Sequence, residues 1–119
     1  MIGTLQTYAL DCPDPGALAA FYAALVGGKV EDDGSDWVEL VGDFGTTLSF
    51  QGVADYRAPE WPGQDTPQQG HIDIGVTDLD AAQAQVLALG ATLLEDWDGE
   101  KSWRVFADPA GHPFCLCAC

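Results

Sequence analysis

Two stretches decide the fold: TYALDCPDPGALAAFYAALVGG, which starts at Thr7, and HIDIGVTDLDAAQAQVLALGAT, which starts at His71. They follow one plan, and a repeated plan marks a structure assembled from similar units. Each begins as a strand with alternating apolar positions and passes through an Asp placed to cap a helix, Asp14 or Asp78. Each then enters an Ala/Leu-rich segment that stops at glycine, Gly27 or Gly90. In the first, Pro15 suits the first helical turn, and Leu18, Phe21, Tyr22, Leu25 and Val26 recur at helical spacing. In the second, Ala82, Val86, Leu89 and Leu93 do so.

The correspondence runs on. WVELVGDFGTTLSF from Trp37 lies over WRVFADPAGHPFCL from Trp103 without a gap, and both read as hairpins with Gly45 and Gly111 in the turns. Short strands at 29–32 and 92–97 complete a β-α-β-β-β pattern in each half. The expected class is α+β: module 1 over about 1–52, a connector over 53–69 carrying Pro59, Pro62 and Pro67, and module 2 over about 70–119. Within a strand, alternation separates two faces. Ile72, Ile74 and Val76 belong against the helix, and His71, Asp73 and Gly75 belong to the other side, where the two sheets can curve around a cleft. Phe114 and Leu116, like Leu48 and Phe50, join the helix side. Four equivalent inward positions result: Thr7, Ser49, His71 and Cys115.

Four Lys and Arg stand against 19 Asp and Glu, a formal charge of −15, with ten acids before residue 61 and nine after it. Phosphate backbones and anionic membranes need basic patches that four residues cannot make, so neither is an expected partner. No apolar run reaches the roughly 18 residues of a membrane span, and the start of the chain lacks signal-peptide character, so a cytoplasmic location is expected. Three of the four cysteines fall in the last five residues. This is not the spread of a disulfide framework; Cys115 and Cys117 are expected as core thiols and Cys119 as a free one. Gly-rich phosphate loops, G-x-S-x-G and C-x-x-C are all missing.

The stretches LDCPDPGALAAFYAALVG, HIDIGVTDLDAA and FADPAGHPFCL, with Asp14, Phe21, Tyr22, Gly27, Asp108, Pro109, Gly111 and Phe114 at their key positions, resemble the vicinal oxygen chelate superfamily over essentially the whole chain. That superfamily contains glyoxalase I, the extradiol dioxygenases and the bleomycin and fosfomycin resistance proteins; the resemblance is to its glyoxalase-like branch. It implies paired βαβββ modules in a cupped mixed sheet with outer helices, a ligand or metal site inside the cup, and a homodimer. Metal-dependent members place His, Glu or Gln at four inward strand positions, where the ion acts as a Lewis acid. These fall on Thr7, Ser49, His71 and Cys115, of which His71 alone matches. A strand register shifted by two would substitute Gln51 for Ser49 and leave a Gln51, His71 and Cys115 set for zinc. The expectation is therefore no resident cofactor, with a divalent metal at His71 as the alternative.

The candidate site follows from these positions. His71 and Asp73 share a face and make the best acid/base couple the chain offers. An inward Asp73 needs water, a cation (Arg104, Arg57 or a basic ligand) or His71 beside it. Thr7, Ser49, Gln51 and Cys115 are candidate ligand contacts, as are Tyr56 and Trp61 on the connector. Trp37 and Trp103 are repeat-equivalent and expected to share a packing role; Trp97 is a further aromatic candidate. His112 is expected as a solvated turn residue. Two functions compete: a protein that retains a small organic molecule, cationic or aromatic, in its cleft, and a lyase or dioxygenase-type enzyme using His71 and Asp73 with a divalent metal.

Overall fold

The computed structural model describes residues 1–95 and 101–118. The last two residues of the expected 92–97 strand, Trp97 among them, and Cys119 lie outside the described residues. The chain divides into two compact units, Met1–Tyr56 and Arg57–Cys119. The first contains β1 (Thr7–Cys12), α1 (Pro15–Val26), β2 (Lys29–Asp32), β3 (Trp37–Val41) and β4 (Thr47–Gly52); the second contains β5 (Ile72–Gly75), α2 (Leu79–Ala88), β6 (Thr92–Glu95), β7 (Trp103–Ala107) and β8 (Pro113–Cys117). Each is a βαβββ module, and the class is α+β. The sheet orders are the same, β1-β4-β3-β2 and β5-β8-β7-β6. In both, the first and last strands pair in parallel and the remaining pairs are antiparallel. Neither helix is long and apolar enough to cross a membrane.

The helices start where the sequence places them. Asp14 and Asp78 each accept a hydrogen bond from the backbone N–H three residues on, Ala17 and Ala81, at 3.1 Å. These bonds satisfy amides that the first turn otherwise leaves without partners. Gly27 and Gly90 take φ of 81° and 108°, a region in which a side chain would be strained, and so end the helices.

The cores differ between modules. In the first, α1 buries Leu18, Ala19, Phe21 and Tyr22, and Tyr22 stacks on Phe50 with ring centroids 5.7 Å apart. In the second, α2 buries Ala82 and Val86, while Phe106 and Phe114 stack on each other at 5.6 Å. Arg104, at the position where module 1 has Val38, fills the space beneath the small side chains of α2. It is 4% exposed, and its guanidinium donates to Asp80 Oδ1 at 2.7 Å and Gln83 Oε1 at 2.8 Å. Its aliphatic stem is buried while its charge is held by the first turns of the helix. Leu89, expected on the core stripe, is exposed, and Leu93 belongs to β6 rather than α2. The helix stops one residue before Leu89, so helical spacing no longer governs either side chain.

The β7–β8 turn is built by D-P-A-G-H. The buried carboxylate of Asp108 accepts from Ala110 N at 2.9 Å and His112 N at 3.0 Å. His112 is half-buried rather than solvated, because its backbone closes the turn against Asp108. Gly111 has φ of 90°, and a Cβ there would stand 2.6 Å from Ala58 Cβ; at Gly27 a Cβ would meet nothing within 4 Å. Gly111→Ala therefore adds a collision to backbone strain. We expect Gly27→Ala to cost about 1 kcal/mol and Gly111→Ala roughly 2 to 3 kcal/mol in urea unfolding; equal costs would contradict this packing.

Candidate functional site

Parallel pairing of β5 with β8 sets Asp73 beside Cys115. His71, two residues before Asp73, points to the same face. Its Nε2 lies 3.1 Å from Asp73 Oδ1, an ion pair whenever the imidazole is protonated, with the two side chains 41% and 65% exposed. The donor atoms of His71, Asp73 and Cys115 all lie within 4.8 Å of one another. A concavity of about 280 Å³ opens here, lined by His71, Asp73, Trp103, Cys115 and Cys117.

Cys115 is half-buried and a free thiol. Burial, then the charge of Asp73 and a hydrogen bond to it, then the charge of Glu95, push its pKa up to about 11. At neutral pH it is a neutral donor toward the Asp73 carboxylate, not a thiolate nucleophile. Cys117 is half-buried and disulfide-bonded, which corrects the expectation of a core thiol. It shares the open face of β8 with Cys115, away from the helix.

Asp73 meets His71 and not Arg104. Arg104 lies opposite Leu116 on β8, whereas its neighbour Val105 lies opposite Cys115. Alternation therefore puts Arg104 on the helix side, where Asp80 and Gln83 bind it. The same alternation puts Trp103 on the open face. Trp103 is 43% and Trp37 is 38% exposed, which overturns a shared packing role for them. Trp103 walls the concavity, and the Lys101 ammonium sits 5.7 Å from its ring centroid while also pairing with Glu95. Trp37 lines a separate hollow in module 1 with Glu31, Asp32, Asp33, Ser35 and Glu39. The signal for Trp103 was present in the sequence: it stands two residues from the position that faces Cys115.

In module 1 the equivalent positions are closed. Thr7 Oγ1 donates to Thr47 O at 2.8 Å, so the Ser49 hydroxyl donates the 2.5 Å bond to Thr7, and Ser49 is fully buried. Tyr8 pairs with Leu48 as Ile72 pairs with Phe114. The register is thus unshifted, and Ser49, not Gln51, is the counterpart of Cys115. Gln51 is exposed on the same face as Ser49, Tyr56 is half-buried at the end of the first unit, and Trp61 is half-buried in the second. None of the three lines the His71 concavity. Two neutral hydroxyls engaged with each other do not fit the His/Glu/Gln arrangement of metal-dependent vicinal oxygen chelate proteins.

A family model described as the glyoxalase-like domain matches residues 7–117, and the chain belongs to that family, within the vicinal oxygen chelate superfamily. Solved structures share the fold. A glyoxalase/bleomycin resistance protein/dioxygenase family enzyme from Burkholderia phytofirmans is 16% identical, with 96% of this chain and 97% of that one covered, at a TM-score of 0.70. A protein from Agrobacterium tumefaciens is 22% identical, with 98% of each chain covered, at 0.71. A mutant fosfomycin resistance protein, FosX, from Listeria monocytogenes, complexed with Mn(II) and 1S,2S-dihydroxypropylphosphonic acid, is 16% identical, with 100% and 94% covered, at 0.75. Comparison with curated proteins finds no match.

The state of Cys115 is directly measurable. Alkylation of this thiol by iodoacetamide, followed by peptide mass mapping, should stay slow through pH 9 and rise as pH approaches about 11. Asp73→Asn removes the neighbouring charge and should move that rise to lower pH. A rise centred on the ordinary thiol range in the unsubstituted protein would contradict the geometry.

Proposed function

We propose that this protein retains a small organic cation with an aromatic part in the open-face concavity of its second module. One observation carries the reading: an exposed carboxylate, Asp73, and an exposed indole, Trp103, wall the same hollow of about 280 Å³. That volume is near the lower end for ligand pockets, which suits a small molecule. A cation gains from the carboxylate and from the indole face, which already receives the Lys101 ammonium. The net charge of −15 enriches cations near the surface before they bind. Thr7, Ser49, Gln51, Tyr56 and Trp61 are not needed for this reading. In an enzymatic version, a lyase or dioxygenase-type reaction, His71 and Asp73 form the proton-transferring couple; the convergence of donors at Cys115 is what favours it. A cytoplasmic homodimer belongs to the same proposal, and the outer strands β2 and β6, each paired on one side among the described residues, give the dimer a physical motive.

A thermal-shift series tests the binding. A ligand at 100 times its Kd stabilises by about 2.7 kcal/mol, several degrees for a domain of this size. Cationic aromatic compounds should raise Tm, neutral and anionic analogues of the same shape should not, and Asp73→Asn should abolish the rise. Stabilisation by neutral or anionic compounds alone, or stabilisation that survives Asp73→Asn, would overturn the proposal.

A further inference from the structure

We infer that His71, Asp73 and Cys115 form a three-donor chelate for a borderline divalent cation such as Zn(II), built on the second module alone. It differs from the four-position arrangement that metal-dependent members of the superfamily use. Two of those positions are Thr7 and Ser49, whose hydroxyls are spent on each other and on Thr47 O. The third donor is instead Asp73, which no family position supplies.

The geometry favours convergence. Zinc bonds of roughly 2.0 to 2.3 Å in a tetrahedral arrangement place donor atoms roughly 3.3 to 3.8 Å from one another. His71 Nε2 and Asp73 Oδ1 are already 3.1 Å apart, and all three donors lie within 4.8 Å. A closing movement of no more than about one ångström brings the widest pair from 4.8 Å into that range. All three project from β5, its immediate start, or β8, so the paired strands fix their spacing and no loop has to order.

The donor types select the ion. One imidazole nitrogen, one carboxylate oxygen and one sulfur suit zinc and its neighbours, whereas magnesium and calcium prefer oxygen throughout. Coordination places Cys115 on the metal as thiolate, and its proton passes to solvent. Three protein donors leave a fourth position open toward the concavity beside Trp103, the pattern of sites that admit an outside ligand. Asp73 serves both this chelate and the organic-cation site, so the two ligands should compete, but the chelate does not depend on the organic ligand.

Calorimetric titration of the untagged full chain with Zn(II), and absorption spectra with Co(II) as the stand-in, test the site. We expect one zinc per chain and a thiolate-to-cobalt charge-transfer band. Asp73→Asn, a change at an exposed side chain that leaves folding intact, should weaken zinc by at least about tenfold. Cys115→Ser should abolish the band, and a Thr7→Ala, Ser49→Ala double variant should bind as the unsubstituted protein does. Absence of zinc binding, binding unchanged by Asp73→Asn and Cys115→Ser, or loss of binding in the double variant would each overturn the inference. Organic cations that stabilise a protein unable to bind zinc would overturn this inference alone; zinc binding without any organic-cation effect would overturn the earlier reading alone.

Discussion

The parallel pairing of first and last strands in each module is the constraint on which the rest depends. Residues from distant parts of the chain are brought side by side by backbone hydrogen bonds rather than by their own affinity. In the second module the register puts Asp73 next to Cys115, and the two-residue period of the strand adds His71 to the same face. The opposite face carries Ile72, Ile74, Phe114 and Leu116, which pack toward α2. A one-residue slip would exchange the two sets, burying Asp73 and exposing Phe114. The apolar core therefore enforces the arrangement of polar groups on the other side of the sheet.

The two modules use one topology for different ends. Module 1 invests in its core: a longer helix, the Tyr22–Phe50 stack, and inward hydroxyls that satisfy each other. Module 2 has a shorter, Ala/Gln-rich helix whose small side chains leave room for Arg104, and its inward positions carry donors open to solvent. The asymmetry lies in different residues at matched positions: Thr7 corresponds to His71, Ala9 to Asp73 and Ser49 to Cys115. The metal-ligating side chains of these positions thus stand on one module, on a chain whose formal charge is −15.

Much of the fold was legible because its signals are local. The capping aspartates, the positive-φ glycines and the repeat placed both helices and both hairpins, and alternation placed His71, Asp73 and Cys115 on one face. What escaped depended on partners from other elements. Arg104 was a candidate companion for Asp73 until the strand register put it on the helix side; no local pattern announces that Asp80 and Gln83 would hold it. The tryptophans misled for a related reason. Repeat equivalence of Trp37 and Trp103 suggests a shared packing role, but equivalence is equally compatible with two exposed walls, which is what the structure has. Asp73 was the reverse case, an acid that fitted no core or turn role and that the fold brings into contact with His71.

The central claim is that cations converge on the open face of β5 and β8, and a titration of the ¹⁵N-labelled protein with Zn(II), followed by amide resonances, tests it most directly. The account predicts that the amides of Ile72 to Gly75 and Phe114 to Cys117 shift together and saturate at one equivalent. Zinc bound while these amides stay unmoved would contradict it.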